Sequence, residues 1–501
     1  YGRRFYKDQT PVEYLAEFLL VFVSPKGRSG ANGGANAFAF TIGQDEDRAL
    51  YWPPDRIALK LFSFFPASKL DTRHVSHQGA YRDALQDLAQ RINGSAEDKD
   101  EATRLLQSLL GGFVGVAKNR TWVTYTFLPA ADRLLARELD WLQSQASQEP
   151  GLSNWSDARR HFATDRHNFM GRGGELLFLQ LAHLFTVEQA PLGTDESDQF
   201  YGHLSALPLA KLRSDLEAGL RSILCDSILP LNRICHFVEL SLSAFRLHEE
   251  PTHALLGWVP TATVVEAHLF GYELRNIVLS TLPDLEKLDL IQCLCCIQVL
   301  RTLCFQAVRE DGEPRNVTGF IGGYAWVTAD RDAPPGTPTR KLAQASFERI
   351  EQLLFRVLRK RAALDPQATS SLAEADKHGF EIFRRLAKQL GLVIPRTGSG
   401  QRFVLPAHVL RFLVAALVDP DKPIRLTRFY ERVFAHYGIA LGDRQLAVAL
   451  DWGGAQSGSR DFAVAADTRW IEETLRQGGF LVELSDAVSM VRNPAGRKAA
   501  Q

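Results

Sequence analysis

Apolar side chains recur at three- and four-residue spacing along most of this chain, the spacing that places them on one face of a helix. Five stretches in the middle of the chain follow it, at 175–185, 209–224, 231–245, 264–282 and 285–308. The last is apolar on nearly all sides, and a helix with no polar face belongs in the middle of a bundle. The pattern therefore predicts a mainly α protein, a multidomain helical bundle.

The first part of the chain mixes helix and strand patterns. Thr10-Pro11-Val12-Glu13 offers an N-cap hydroxyl, a proline at the first helical position and a glutamate that completes a capping box, so a helix should begin here. Short β-rich runs at 37–42, 57–65 and 121–127 predict strands, and a helix is expected near 130–145. We interpret residues 1–150 as a small N-terminal α+β region.

Two breaks divide the rest of the chain. Residues 330–339 contain three prolines and a glycine, which oppose regular structure, and Asp365-Pro366 interrupts the chain again. Between them lies a long helical pattern at 341–363 that ends in a run of basic residues. The sequence therefore predicts three further segments, namely a central helical domain at 151–335, a connecting basic helix at 336–365 and a C-terminal domain at 366–501.

The C-terminal domain begins with a helix that leads into a hairpin. The helical pattern at 371–390 ends at Gly391, a residue that readily adopts the left-handed conformation of a helix cap. Two short β-rich runs follow, at 392–395 and 402–405, around a turn rich in glycine and serine at 397–400. This order predicts a helix followed by a β-hairpin.

The same order returns near the end of the chain. A helix near 468–476 precedes a second predicted hairpin, with strands at 480–484 and 488–492. More helices are expected between the hairpins, at 408–418, 426–437 and 445–450. Helices that close on a two-stranded hairpin have the outline of a winged helix. Either a tandem pair or one winged unit with a separate hairpin fits the pattern.

Charge and composition limit the kinds of binding surface. The 501 residues contain 58 Lys and Arg against 58 Asp and Glu, so no global charge attracts the protein to nucleic acid or to an acidic membrane. Any electrostatic binding surface must therefore be local.

The cysteines and the densest apolar run bear on compartment and cofactors. Cys293, Cys295, Cys296 and Cys304 fall in one apolar helical stretch, as buried thiols do in a reducing compartment, so we expect a cytoplasmic protein. A structural zinc site needs four ligands, usually in two close pairs, and only Cys293 and Cys296 have the right spacing. The apolar run at 290–300 is too short to span a bilayer. We predict no metal, no cofactor and no membrane contact.

A cluster of cations near the first hairpin is the candidate nucleic-acid surface. Arg384, Arg385 and Lys388 fall within one helical turn, and Arg396 and Arg402 flank the turn of the hairpin. Guanidinium groups placed in this way contact phosphates and position a protein on duplex DNA without reading bases. The alternative is a solvated helix face, whose acidic partners would be Glu374, Asp376 and Glu381.

The second hairpin is less suited to nucleic acid. Glu483 and Asp486 lie at its turn and would repel phosphate. We therefore expect this hairpin to contact a protein.

A second candidate is an anion site near residue 172. Arg160, His167 and Arg172 precede Gly173-Gly174, where a helix begins, and backbone amides at a helix N-terminus can hold an anion. No Lys-Ser/Thr follows the glycines, so this is not a P-loop. A structural loop locked by Arg–Asp pairs is the alternative interpretation.

The same segment offers the chain's best catalytic alternative. An enzyme acting on nucleic-acid or nucleotide phosphates would gather its site around Arg160, His161, Asp165, His167 and Arg172. No serine or cysteine nucleophile can be paired with the histidines, and the chain contains no H-E-x-x-H, G-x-S-x-G or Rossmann motif. The absence of a coherent catalytic set favours a non-catalytic protein.

Three segments together resemble accessory proteins of bacterial anti-phage defence islands. They are the opening Tyr1-Gly2-Arg3-Arg4-Phe5-Tyr6 with Thr10-Pro11-Val12-Glu13-Tyr14-Leu15, the segment from His167 to Glu175, and the closing Leu484-Ser485-Asp486-Ala487. The resemblance implies an antiviral role as a non-catalytic subunit beside helicase, nuclease or methyltransferase partners. The expected function is therefore an accessory or scaffold subunit that binds other proteins of a complex and duplex DNA through its C-terminal domain.

Overall fold

The computed structural model of this chain is mainly helical, as predicted. It describes residues 4–5, 9–28, 36–42, 49–54, 78–109, 131–135, 140–141, 162–163, 170–171, 173–226, 229–241, 253–312, 318–364, 372–420, 422–452, 467–485 and 488–494. The predicted strands at 57–65 and 121–127 lie outside these residues.

The helices and strands are short to medium in length, except for two long helices near the middle of the chain. In chain order the helices are α1 Pro11–Val23, α2 Gln78–Gln90, α3 Ala96–Leu109, α4 Gly173–Leu184, α5 Leu209–Arg221, α6 Leu229–Ser241, α7 Val264–Val278, α8 Asp284–Asp311, α9 Pro338–Leu364, α10 Leu372–Ala375, α11 Glu381–Gln389, α12 Ala407–Leu417, α13 Leu426–Tyr437, α14 Asp443–Trp452 and α15 Arg469–Gln477. The strands are β1 Arg4–Phe5, β2 Lys26–Arg28, β3 Ala49–Tyr51, β4 Asp140–Trp141, β5 Phe162–Ala163, β6 Met170–Gly171, β7 Ala254–Leu255, β8 Trp326–Val327, β9 Val393–Ile394, β10 Arg402–Phe403, β11 Ile424–Arg425, β12 Ile439–Ala440, β13 Leu481–Ser485 and β14 Val488–Val491.

Contacts between residues group the chain into two units that are discontinuous in sequence. The first comprises residues 1–182 and 217–259, and the second comprises residues 183–216 and 260–501. The boundaries between the units fall within α4, within α5 and between residues 259 and 260. The predicted division into four consecutive domains is a different kind of division from these contact-based units, and it stays a prediction.

The first unit is built around α1. The backbone amide of Thr10 donates to the carboxylate of Glu13 at 2.7 Å, so the capping box read from the sequence is present. Every residue of the helix from Glu13 to Val23 is buried. A small antiparallel sheet in the order β2-β3-β7 completes this part of the unit.

Two predictions for the first unit were wrong. Residues 37–42 form a turn instead of a strand, in which the amide of Phe38 donates to the carbonyl of Phe22 at 2.9 Å and the ring of Phe40 stacks on Phe178. The apolar side chains that suggested a strand therefore pack from an irregular segment that is hydrogen-bonded to α1. The helix expected near 130–145 is replaced, where the structure describes it, by a single 3₁₀ turn at Asp132–Leu134 and by β4.

The second unit has α8 as its central helix, packed against α7 and α9. The side chains of α8 are buried from Leu288 to Arg301 at nearly every position, which agrees with the all-round apolar pattern. Burial raises the pKa of the Cys293 thiol to about 12 and also raises that of Cys304. Both cysteines therefore stay protonated thiols in the core.

Within the described part of the chain, α8 is the one helix long and apolar enough to cross a membrane by length and composition. However, 83% of its apolar window is buried inside the protein, and the core helix of a folded unit passes the same test. This burial agrees with the interpretation of α8 as a core helix.

A charged pair lies at the contact between α7 and α8. Both terminal nitrogens of Arg301 donate to the carboxylate of Glu273, at 2.7 and 2.8 Å, and neither side chain is exposed. His436 Nδ1 lies 2.8 Å from the same carboxylate. Burial alone would raise the pKa of Glu273, but the attraction of Arg301 and the hydrogen bond from His436 outweigh it, so the pKa is lowered. The pair is ionised and satisfied within the core.

Both predicted hairpins form in the second unit. The first hairpin pairs β9 with β10, so that Ile394 faces Arg402 and Val393 faces Phe403. The second pairs β13 with β14 and gains a third strand, because β11 pairs with the other edge of β14. The predicted helices of the C-terminal part are present as α10 to α15, and the first of these patterns is interrupted by a π-helical turn at Asp376–Phe380.

Candidate nucleic-acid interface

The five cations predicted to contact nucleic acid separate into two groups. Arg384, Arg385 and Lys388 lie on α11, whereas Arg396 and Arg402 lie on the first hairpin. The structure brings the second group together with two arginines that the sequence had not singled out, and the two groups differ in their electrostatic surroundings.

The α11 group has protein partners of its own. The guanidinium of Arg384 forms a two-point ion pair with the carboxylate of Glu351 and lies over the ring of Phe380, 4.8 Å from its centroid. Partial burial, and then the nearby charge of Arg384, lower the pKa of Lys388. Arg385 is exposed on the same helix. The guanidinium of Arg384 is therefore already compensated, mainly by Glu351 of α9, and the charge of Glu381, one of the three acids proposed from sequence, adds to this.

The hairpin group borders a concave surface of about 490 Å³. We call it the arginine hollow, and its lining residues are Arg331, Arg340, Gln344, Ile394, Pro395, Arg396, Ser399, Gly400 and Arg402. Four of these nine residues are arginines and none is acidic. The hollow lies wholly within the second unit.

Arg402 is the most buried of the four arginines, with 5% of its surface exposed. One terminal nitrogen donates to the backbone carbonyl of Arg331 at 2.9 Å, and its Nε is buried without a hydrogen-bond partner among the described residues. Burial, followed by the like charge of Arg340, lowers the pKa of Arg402. The guanidinium is therefore held in a place where the described residues provide no counterion.

The structure gives the other three arginines no carboxylate partner among the residues it describes. Arg340 donates to the carbonyl of Ala333 at 2.9 Å, and the side chains of Arg331 and Arg396 are exposed. Within the described ranges, none of the four arginines forms an ion pair with Asp or Glu. The hollow is a local concentration of uncompensated positive charge.

Aromatic packing and glycines fix the geometry of the hollow. Phe403 of β10 is 1% exposed and stacks on Trp326, with ring centroids 5.3 Å apart. Because neighbouring residues of a strand face opposite sides, anchoring Phe403 in the core orients Arg402 to the other side. Gly398 and Gly400 have φ angles of 90° and 73°, which allow the tight turn between the strands.

Backbone pairing places Arg331 and Arg340 beside the hairpin. The amide of Ala329 donates to the carbonyl of Phe403 at 3.2 Å, so the segment before α9 runs along β10. The sequence marked residues 330–339 as a linker because of their prolines, and nothing in their spacing indicated a neighbour. These two arginines were therefore missed, because Arg331 lies between Asp330 and Asp332 in the sequence and shows no local excess of positive charge.

The second predicted anion site has a different outcome. Arg160, His161, Asp165, His167 and Arg172 lie outside the described residues, but Gly173 and Gly174 are described. The amide of Gly173 donates to the side-chain oxygen of Gln9, and that of Gly174 donates to the carboxylate of Glu17, each at 3.2 Å. The protein's own carboxylate thus occupies the helix N-terminus, which corrects the prediction that these amides bind an external anion.

The hollow offers binding groups and no reacting group. Its lining holds a single hydroxyl, that of Ser399, and neither a histidine nor a carboxylate that could activate it. Among the described residues, no group of three or more His, Cys, Asp or Glu side chains could hold a metal ion. Planar guanidinium groups bind the oxygens of phosphates and carboxylates in pairs, so the groups lining the hollow suit an anion.

Comparison with known proteins identifies no relative. No protein-family model, no curated protein and no solved structure matches this chain. The chemistry of the arginine hollow is therefore the main guide to function.

Proposed function

We propose that this protein binds the phosphate groups of nucleic acid through the arginine hollow and acts as a non-catalytic accessory subunit. The observation that carries the proposal is the convergence of Arg331, Arg340, Arg396 and Arg402 on one surface that no carboxylate lines. The proposed ligand supplies negative charge to a surface whose lining residues include no carboxylate.

Electrostatics favour a ligand over a purely structural role. Like charges around one hollow repel each other, and the lowered pKa of Arg402 reflects its burial and then the charge of Arg340. The chain as a whole is neutral, with 58 residues of each sign, so acidic partners for these arginines were not scarce. A bound polyanion relieves this repulsion. Because the chain as a whole is neutral, its net charge does not attract nucleic acid to the rest of the surface.

The position of the hollow on a hairpin next to helices also supports the proposal. Helices α9 and α11 precede the hairpin β9–β10, an order that resembles a winged helix, in which helix and hairpin both approach a nucleic-acid backbone. The second hairpin, with its sheet order β11-β14-β13, follows α13 to α15 in the same way. There, however, Arg476 pairs with both Glu473 and Glu483. Nucleic acid is therefore assigned to the first hairpin.

Membership of a protein complex is the second part of the proposal. It follows from the resemblance to accessory proteins of anti-phage defence islands and from the acidic character of the second hairpin, which suits a protein partner better than a phosphate. Affinity purification of the full chain from its native host, followed by identification of the co-purifying proteins, tests this part. Recovery of the chain without stoichiometric partners would contradict it.

Removing two exposed arginines of the hollow should weaken nucleic-acid binding and its dependence on salt. Arg331→Gln with Arg396→Gln leaves the hydrogen bond between Arg402 and the Arg331 carbonyl intact, because that bond uses only the backbone of residue 331. We expect affinity to fall at least about tenfold, since each charged hydrogen bond contributes roughly 1.5–3 kcal/mol. The slope of log affinity against log salt should become shallower by about 1.4 for single strands, at roughly 0.7 per phosphate contact.

Fluorescence anisotropy with single- and double-stranded oligonucleotides across a salt series measures both quantities. The control is Arg469→Gln with Arg476→Gln, which removes the same charge from two exposed arginines that have carboxylate partners. Equal losses in the two double variants would show that net charge alone governs binding. An unchanged affinity in the first variant would overturn the proposal.

A further inference from the structure

We infer that the arginine hollow recognises a terminal phosphate, the phosphomonoester at the end of a nucleic-acid strand, in preference to the internal phosphodiesters. This inference rests on the proposed function, because it specifies which phosphate the hollow takes. It is carried by the number of cations, by the burial of one of them and by the size of the hollow.

The number of guanidinium groups favours a doubly charged ligand over a singly charged one. A phosphomonoester carries a charge of about −1.5 to −2 near neutral pH and has three strong acceptor oxygens. An internal phosphodiester has a single negative charge and only two free oxygens. Four arginines that share one hollow leave more positive charge than one diester can compensate, whereas a terminal phosphate compensates about half of it.

The depth of the site also favours a strand end. Arg331 and Arg396 are exposed, but Arg402 is 5% exposed, so a ligand must enter the hollow to approach it. An internal phosphate carries a sugar on both sides and meets mainly the outer two arginines. A terminal phosphate has one side free and can enter first. The unpartnered Nε of Arg402 shows that this buried cation has donor capacity that the described protein groups leave unused.

The volume of the hollow suits one nucleotide. Small-molecule sites range from roughly 300 to 1,000 Å³, and the hollow of about 490 Å³ falls within that range. Ile394 and Pro395 supply apolar surface at its edge, on which a sugar or base can pack. The chemistry shared by all matching ligands is a phosphomonoester next to a nucleoside, and its source is either a strand end or a free nucleotide.

The test compares short single strands of one sequence that differ only at their ends. One carries a 5′-phosphate, one a 3′-phosphate and one only hydroxyl groups, and each has the same internal fluorophore for anisotropy. We expect one of the phosphorylated strands to bind at least about tenfold more tightly than the hydroxyl strand, as one to two added charged hydrogen bonds predict. This preference should shrink below about pH 6, where the terminal phosphate gains a proton.

Variants of two residues separate recognition from folding. Arg402→Met should abolish the preference, measured as the ratio of its affinities for the phosphorylated strand and the hydroxyl strand, and circular dichroism establishes that this variant folds. If it does not fold, Arg396→Gln serves instead, because that side chain is exposed, and it should reduce the preference severalfold. A preference that survives in the folded Arg402→Met variant would overturn the role of the hollow.

The outcomes distinguish the inference from the proposed function. Equal affinity for all three strands overturns the inference and leaves the proposed function standing, whereas no binding of any strand overturns both. Competition by adenosine monophosphate at the concentration at which the phosphorylated strand competes would assign the hollow to a free nucleotide and overturn the strand-end source. Competition only by phosphorylated strands supports it.

Discussion

Among the described residues three Lys or Arg side chains are buried. Their surroundings differ, and the difference distinguishes a structural role from a binding role. Arg301 has a full carboxylate partner in Glu273. The ammonium of Lys26 donates to the carbonyls of Val21, Phe22 and Ser24 at 2.8 to 3.0 Å, near the C-terminus of α1, where cations are favoured. Arg402 has one carbonyl partner and a buried Nε with none.

The cost of an unsatisfied buried donor explains why this difference matters. A buried donor without a partner costs roughly 1–3 kcal/mol, and a charged one costs more. A protein that places a cation in such surroundings requires a compensating interaction, and at Arg402 the compensating group is the proposed phosphate. Arg301 has a carboxylate partner and the hydrogen bonds of Lys26 are accepted by backbone carbonyls, so their roles are structural.

The satisfied cation Lys26 predicts a dependence of stability on pH. Burial lowers the pKa of Lys26 to about 7, although the charge of Glu217 opposes this effect. Between about pH 7 and the ordinary lysine value, the unfolded chain holds the proton and the folded chain does not. The contribution of Lys26 is therefore least favourable at and below pH 7, and folded stability should rise relative to Lys26→Met by about 1 kcal/mol per pH unit above it.

Thermal unfolding of the wild type and Lys26→Met at several values between about pH 7 and 9 measures this trend. The exposed substitution Lys422→Met is the control. A stability difference between wild type and Lys26→Met that does not change with pH would contradict the assignment.

At the scale of secondary-structure elements, the sequence predicted local structure far better than pairing. Helices from α4 onwards and both hairpins lie within a few residues of their predicted bounds, because helical periodicity, proline starts and glycine turns are properties of consecutive residues. The early start of α9 at Pro338 follows from the preference of proline for the first helical position. The segment at 37–42 was misread because its apolar residues pack from an irregular backbone.

Part of the candidate site could be predicted for the same reason. Arg396 and Arg402 were found because the hairpin that carries them could be predicted from consecutive residues. Arg331 and Arg340 were missed because their place depends on pairing between Ala329 and β10, more than 70 residues apart in the chain. The partner of Arg384 was missed because it lies on α9 and not on its own helix.

The glycines at the start of α4 give a prediction about helix packing. A Cβ added to Gly174 would lie 2.2 Å from the carbonyl oxygen of Tyr14 and 2.5 Å from the amide nitrogen of Phe18, both backbone atoms of α1. Gly174→Ala should therefore push the two helices apart and destabilise the first unit by roughly 1–3 kcal/mol, which outweighs the gain in helix propensity of about 1 kcal/mol.

Chemical denaturation followed by circular dichroism measures this loss. Gly312→Ala is the comparison, because its φ of 72° is strained for alanine but only the Nζ of Lys360 lies within 4 Å of the added Cβ. We expect the Gly312 variant to lose about 1 kcal/mol through backbone strain alone. A Gly174→Ala variant as stable as the wild type would refute the close approach of α1 and α4.

At the scale of the whole molecule, the chain is neutral, and its described part places four arginines without carboxylate partners around one hollow. The α11 face and the start of α4 contain cations or amides that suggested anion binding, and each has an internal acidic partner in the described residues, as does Arg476 beside the second hairpin. The arginine hollow differs from them in lacking one. Nucleic-acid binding is therefore expected to be local to this surface, sensitive to salt and independent of catalysis.

The most direct test is to locate the bound strand by photocrosslinking. A strand with a photoreactive base at its phosphorylated end is irradiated in complex with the full chain, and the crosslinked peptides are identified by mass spectrometry. We predict crosslinks to residues 331–344 and 394–402 that disappear in the Arg331→Gln, Arg396→Gln double variant. Crosslinks confined to residues 160–172 or to the Arg384, Arg385 and Lys388 face of α11 would contradict the assignment of nucleic-acid binding to the arginine hollow.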